Sequence, residues 1–135
     1  MSIESSLNFR RVSDSVTTSG SVPAEDLGQL RSHGYDVVVN LLPDRSGYAV
    51  EGEETIVGDQ DLEYVYIPID FATPTHKQFE EFVAAMDAHA GKTIHVHCAA
   101  NYRVSAFYSL YAMAKGWWSE GQADEHLRGI WTQGE

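Results

Sequence analysis

An internal disulfide is excluded at once, because the chain contains one cysteine. That scarcity reads toward a reducing compartment. Basic residues are also few: nine Lys and Arg face twenty Asp and Glu, for a formal charge of −11. Such a balance disfavours nucleic acid and anionic membrane surfaces as partners. No apolar run approaches the roughly 20 residues that span a bilayer, and the opening MSIESSLNFRR lacks the basic-then-apolar pattern of a signal peptide. The expectation is a soluble cytoplasmic protein. Internal repeats, low-complexity tracts and linker-like stretches are missing too. With 135 residues, 43% of them hydrophobic, the chain reads as one globular domain over 1–135, large enough for a real core.

The hydrophobic pattern alternates between strand and helix. Residues 7–18 (LNFRRVSDSVTT) are rich in strand formers and broken by Ser13-Asp14, which predicts two short edge strands. Pro23 fits the first turn of a helix running to about Ser32, with Leu27 and Leu30 inward and Gly34 as its stop. Residues 35–42 (YDVVVNLL) form a continuous Val-dense run, the mark of a strand buried on both faces of a parallel sheet. A turn over 43–47 follows, then a weakly helical acidic stretch over 49–59. Residues 64–69 (YVYIPI) read as the next strand, with Pro68 near its end. Thr73 as cap and Pro74 at the first helical position predict a helix in which Phe79, Phe82, Val83 and Met86 share a face, stopped by Gly91. Residues 93–97 form a further strand. The helix over 102–115 is apolar nearly all round and reads as central, with Trp117 and Trp118 beyond it as core. Ser119 caps a last helix to about Arg128, and Trp131 pins the tail. Strands alternating with helices imply an α/β fold with a mostly parallel central sheet flanked by helices.

In such sheets ligands bind beyond the carboxyl ends of strands. Three loops leave those ends: 43–47, 70–73 and 98–103. The third begins at the sole cysteine, Cys98, and ends at Arg103 where a helix opens. The first N–H groups of a helix lack intrahelical partners, and the helix dipole favours negative charge there. A thiol in that field is biased toward thiolate, and a guanidinium offers a tetrahedral oxyanion a bidentate partner. A nucleophile facing a bound anion is the arrangement for covalent catalysis.

The stretch His97-Cys98-Ala99-Ala100-Asn101-Tyr102-Arg103 resembles the His-Cys-loop-Arg signature of cysteine-dependent protein tyrosine and dual-specificity phosphatases. The usual loop has five residues between Cys and Arg, whereas here there are four. The nearer resemblance is to small bacterial phosphatase-like domains, also found in beta-lactamase-hydrolase-like proteins, whose loop has this Cys-x4-Arg length. Asn101 stands where the family usually has glycine, and Asn is the non-glycine residue that best tolerates positive φ. Val104 stands where a Ser or Thr normally follows the arginine, with Ser105 one place later as the substitute hydroxyl.

This resemblance implies a phosphotyrosine-phosphatase-like fold and a hydrolase acting on phosphate monoesters, phosphotyrosine or a small aryl phosphate among them, through a phosphocysteine. The substrate would be a phosphate ester or phosphoprotein, and neither cofactor nor metal is required. Cys98 is the implied nucleophile and Arg103 the oxyanion partner, with Ala99, Ala100, Asn101 and Tyr102 lending backbone amides. His97 supports the loop. Asp70 matches the acid that these families carry on the loop after the preceding strand. Asp44 competes with it, since it too follows the carboxyl end of a central strand.

Two other functions stay open. A sulfurtransferase or persulfide carrier would hold sulfane sulfur on Cys98, and rhodanese-type enzymes use a Cys-to-Arg loop of the same length. A phosphate- or partner-binding module without turnover would follow if the Asn101 and Val104 departures removed catalysis. His95 shares a strand face with His97 and invites a metal reading with Cys98, but no third or fourth ligand comes with recognisable spacing.

Overall fold

The computed structural model describes residues 3–70 and 72–131. A five-stranded sheet runs in the order β1-β2-β5-β3-β4, with β1 Arg10–Arg11, β2 Val16–Ser19, β3 Val37–Asn40, β4 Glu63–Tyr66 and β5 Ile94–His97. Only the β1–β2 pair is antiparallel; β2–β5, β5–β3 and β3–β4 are parallel. The helices are α1 Ala24–Leu27, α2 Glu53–Gly58, α3 His76–Ala88, α4 Tyr102–Ala114 and α5 Glu120–Trp131. The α/β layering with a mostly parallel sheet is as the sequence predicts.

Alternation along the strands divides the core in two. Val37, Val39, Ile94, Val96 and Cys98 face α3 and α4, where Phe82, Met86, Val104, Phe107 and Tyr111 meet them. Val38 belongs to a second cluster on the other face, with Leu27, Leu30 and Val57 from the α1 and α2 side. Period-2 geometry puts neighbours in a strand on opposite faces. His95 and His97 therefore lie on the face opposite Ile94, Val96 and Cys98.

Several local expectations are corrected. β2 is not an edge strand: it lies between β1 and β5 and is buried throughout. Only β1, two residues long, is an edge on that side. The helix expected from Pro23 to Ser32 is instead one turn, α1, followed by a 3-10 turn at Arg31–His33, which Gly34 does terminate in the left-handed region (φ 91°). β4 ends at Tyr66, short of the expected 69. The cap of α3 is Thr75, not Thr73. Its side chain accepts from the Gln78 N–H while the Gln78 side chain accepts from the Thr75 N–H. This reciprocal capping box outcompetes a lone Thr-Pro signal because it satisfies donors at both positions. Ser119 and Gln122 make the same exchange ahead of α5. Trp118 packs on the core, whereas Trp117 is mostly exposed, its ring edge-on to Tyr111. Of the loop expected over 70–73, Phe71 lies outside the described residues.

β3 and β5 are neighbours, paired Val39 to Val96 and Asn40 to His97. The chain leaves β3 toward α2 on one face and leaves β5 toward α4 on the other. Such a divergence opens a crevice at the carboxyl ends of the two strands.

Candidate active site

Cys98 follows β5 directly and is 1% exposed. Its loop is seated by the N-terminal part of the chain. The Cys98 N–H donates to the Ser19 carbonyl (3.3 Å), the Ser21 N–H to the Ala99 carbonyl (2.9 Å), and Asn8 Nδ2 to the Ala100 carbonyl (3.0 Å). In a trans peptide C=O and N–H point opposite ways. Drawing the Ala99 and Ala100 carbonyls toward residues 8–21 therefore aims the N–H groups of Ala100 and Asn101 away from that segment.

Asn101 closes the turn with φ 71°, the left-handed conformation that the residue type predicts. It is fully buried. Its Nδ2 donates to the Asn8 carbonyl (2.8 Å) and to Thr18 Oγ1 (3.1 Å). Here asparagine does what glycine cannot: it takes the turn and ties it to β2. Gly20 packs behind. A Cβ there would sit 2.5 Å from the Ala99 carbonyl oxygen and 2.8 Å from the Ala100 Cα. Only glycine lets β2 approach the loop this closely.

Tyr102 and Arg103 open α4, so the cysteine loop runs directly into the first turn of a helix. Arg103 lines a cavity of about 310 Å³ together with Pro43, Arg45, Ser46 and Asp70. These residues come from the loops after β3, β4 and β5, around the crevice between the diverging strands. Two guanidiniums against one carboxylate make this spot locally cationic within a chain of charge −11. Arg45 lies 3.6 Å from Asp70, and the other Asp70 oxygen accepts the Ala72 N–H at 2.9 Å. Half the Asp70 side chain is exposed, so it can meet a ligand without losing its tie to the loop.

Asp44 belongs elsewhere. It lines a separate cavity of about 540 Å³ with Glu51, Glu53, Glu54, Tyr64 and Tyr66, a wall that repels anions. Burial raises the Tyr64 hydroxyl pKa above the usual tyrosine value, with the Glu53 and Asp44 charges adding to it. Ser105 is buried and donates to the Tyr102 carbonyl (3.0 Å) while accepting from Trp131 Nε1 (2.9 Å). Its one proton is thus directed to that carbonyl rather than to the thiol.

On the opposite face His97 Nε2 meets Glu53 Oε2 at 2.5 Å, both groups buried. His95 is fully buried, and burial pushes its pKa well below the usual 6.5, with the nearby His97 adding to the effect. Its tautomer follows from its partners. Ser19 Oγ donates to the Gly20 carbonyl, so it accepts from His95 Nε2–H at 2.8 Å. His95 Nδ1 then accepts from Thr17 Oγ1 at 2.7 Å, and Thr17 accepts from the Tyr35 hydroxyl at 2.8 Å. With both ring nitrogens engaged by hydroxyls, His95 is a structural histidine. No cluster able to hold a metal occurs among the described residues.

The structure thus brings Cys98, the loop, Arg103 and Asp70 to one end of the sheet and separates Asp44 from them. Sequence reasoning missed Asn8, Thr18, Gly20, Arg45 and Glu53. None of these residues carries a local motif.

Residues 5–130 match the family described as "DSP-PTPase phosphatase fused to NAD+ Kinase". Two structures of candidate phosphatases (DUF442) from Shewanella putrefaciens CN-32 are similar to this chain. One is 37% identical, covers 90% of this chain and 81% of its own, and superposes with a TM-score of 0.83. The other is 32% identical, with coverages of 94% and 90% and a TM-score of 0.78. A cysteine-to-serine variant of the P. aeruginosa protein TpbA, solved in complex with pTyr, shares the fold at 16% identity, with coverages of 92% and 75% and a TM-score of 0.72. A comparison with curated proteins returns no match. On the family match across nearly its whole length, and on this shared fold, the chain belongs to the dual-specificity, protein-tyrosine-phosphatase-like hydrolases.

Proposed function

We propose that this phosphatase hydrolyses phosphate monoesters, aryl phosphates such as phosphotyrosine among them, through a phosphocysteine on Cys98. The observation that carries the reading is the cavity shared by Arg103 and Asp70 at the carboxyl ends of β3, β4 and β5. An oxyanion partner and a proton donor thereby face the same volume, one loop away from the thiol. Cys98 thiolate attacks phosphorus in line. Arg103 and the amides of residues 99–103 hold the equatorial oxygens as charge spreads over them. Asp70 protonates the departing oxygen as its bond to phosphorus breaks. The same carboxylate then takes a proton from water, which attacks the phosphocysteine, releases phosphate and restores the thiolate. Arg45, beside Asp70, adds a second positive charge for the incoming dianion and holds the acid over the cavity.

A second reading, anion binding without turnover, draws support from the burial of Cys98 and from the direction of the Ser105 proton. A buried thiol is a slower nucleophile, and a departing thiolate without a hydroxyl donor is a poorer leaving group. Release of p-nitrophenol from p-nitrophenyl phosphate across pH 5 to 8 separates the two. Turnover that vanishes in Cys98→Ser supports the phosphatase. Asp70→Asn is then expected to cost roughly 10²- to 10⁴-fold in kcat, as removal of a general acid does, and Asp44→Asn far less. Equal background from wild type and Cys98→Ser would reject hydrolysis of this ester class, leaving binding alone, or sulfur transfer, for Cys98.

A further inference from the structure

His95 takes no part in the chemistry proposed above, yet it stands three residues before Cys98. β2 and β5 pair in parallel, with Thr17 opposite His95 and Ser19 opposite His97. Alternation along β2 puts Thr17 and Ser19 on one face, and the His95 ring bridges them. Its Nδ1 accepts from Thr17 Oγ1 at 2.7 Å, and its Nε2–H donates to Ser19 Oγ at 2.8 Å. All three side chains are buried. Phe9 stacks on the imidazole (6.2 Å between centroids, 11° between planes) and Tyr35 meets it edge-on (5.8 Å). The ring is thereby held in one orientation.

Ser19 is where the cysteine loop rests on β2. Its carbonyl accepts from the Cys98 N–H, and its hydroxyl donates to the Gly20 carbonyl at 2.8 Å. Gly20 in turn approaches the Ala99 carbonyl more closely than any side chain would allow, and the Ser21 N–H binds that same oxygen. Glycine is also the residue with the most conformational freedom, so the Gly20 peptide needs external ties. Its N–H donates to the Leu7 carbonyl at 2.7 Å, and its carbonyl takes the Ser19 hydroxyl. A serine side chain can turn among three staggered positions. Here the His95 Nε2–H occupies the acceptor side of Ser19 Oγ and keeps its proton on the Gly20 carbonyl.

We propose that His95 is a positioning residue for the reaction at Cys98. Through the Ser19 hydroxyl it fixes the Gly20 peptide, and with it the Ala99 carbonyl and the loop amides that hold the phosphoryl oxygens. The inference rests on the reading of the Cys98 loop as the phosphate site. His95 touches neither substrate nor thiol, and its effect passes through β2. A loosened seat lets the amides drift from the positions where charge develops. That weakens the hold on the transition state more than the hold on the bound ester, so kcat falls while KM stays.

Steady-state kinetics on p-nitrophenyl phosphate, read beside urea midpoints, test this. Ser19→Ala removes the link and His95→Leu removes its donor. Each is expected to lower kcat about tenfold with KM within about twofold of wild type. Combined, they should lower kcat no further than the stronger one alone, because both cut the same chain of bonds. His95→Gln keeps an N–H for Ser19 and should recover most of the loss. Tyr35→Phe removes the hydroxyl at the far end of the network, which donates to Thr17 at 2.8 Å; it should lower the urea midpoint and leave kcat unchanged. Calorimetry with orthovanadate, which adopts the five-coordinate geometry of the transition state, gives a readout independent of turnover. Its affinity should fall about tenfold in Ser19→Ala, and that of inorganic phosphate by less than about twofold. A Ser19→Ala protein with a lowered urea midpoint but wild-type kcat and vanadate affinity would overturn the positioning role and leave the phosphatase reading standing, even if His95→Leu does not fold. Failure of wild type both to turn over the ester and to bind vanadate would remove the phosphate site and this inference together.

Discussion

Replacing Gly20 with alanine tests how the cysteine loop is held. The new Cβ would lie 2.5 Å from the Ala99 carbonyl oxygen, 2.8 Å from the Ala100 Cα and 3.0 Å from the Ala99 carbonyl carbon. All three are backbone atoms, so no side chain can swing aside. Ordinary contact begins at 3.4 Å, which requires the oxygen to retreat by about 0.9 Å (3.4 minus 2.5). That oxygen is also bonded to the Ser21 N–H at 2.9 Å, one residue from the intruding methyl, so retreat stretches or breaks this bond. Forcing a methyl into a packed site costs about 1–3 kcal/mol. A displacement of about 1 Å in a reacting group costs on the order of 10²-fold in rate. Gly20→Ala is therefore expected to lower the urea midpoint and to cut kcat/KM for p-nitrophenyl phosphate by one to two orders of magnitude. Gly121→Ala is the control: it lies in α5, where the added methyl meets only Ser119 Oγ at an ordinary 3.8 Å, so stability should hold or rise by up to about 1 kcal/mol. A Gly20→Ala protein with stability within about 0.5 kcal/mol of wild type and unchanged kinetics would refute the claim that β2 sets the loop's position.

Asn101 should prefer glycine to alanine. Asn101→Gly keeps the left-handed turn and loses two side-chain hydrogen bonds, whereas Asn101→Ala adds a backbone penalty of about 1–2 kcal/mol. Equal urea midpoints for the two would count against the turn argument. Glu53→Ala leaves the buried His97 ring without its partner and is expected to cost about 1–3 kcal/mol. The double variant Glu53→Leu with His97→Phe should lose less than the single one, and a larger loss would contradict the pairing. His95 makes stability pH-dependent with a definite sign. Its folded pKa lies below the unfolded 6.5, so its contribution is complete above pH 6.5 and is lost as pH falls toward the folded value. His126, also depressed, mainly by burial, acts in the same direction. Unfolding free energy should drop between pH 7 and 5 by up to about 1.4 kcal/mol per unit per site. His95→Gln, which reproduces the neutral ring's one donor and one acceptor, should flatten that slope, and an unaltered slope would rule His95 out as its source.

Much of the fold was legible because it is written in local periodicity. The Val-dense 35–42 run is central β3, the apolar 102–115 stretch is buried α4, and Ser119 does cap α5. The cysteine loop was legible because thiol, loop and guanidinium are contiguous. Asp70 against Asp44 was not, since both follow strand ends and differ only in the cavity they face. The Thr75 cap was misread because the Thr-Pro pair just before it looked like a start, and only the reciprocal Gln78 bond decides between them. β2 was misread as an edge strand because three consecutive hydroxyl residues (Thr17-Thr18-Ser19) ordinarily mark exposure. Its hydroxyls are buried here by bonds to His95, Tyr35 and Asn101.

The sequence by itself determined the strand–helix alternation, the family signature and the conformation of Asn101, because each depends on residues within one turn or one strand. Tertiary structure decided what seats and surrounds the loop. Asn8 reaches Ala100 across 92 positions, His97 meets Glu53 across 44, and Trp131 bonds Ser105 across 26. Contacts at such separations arise from the order in which strands assemble and from the faces their side chains take, and no local pattern encodes them.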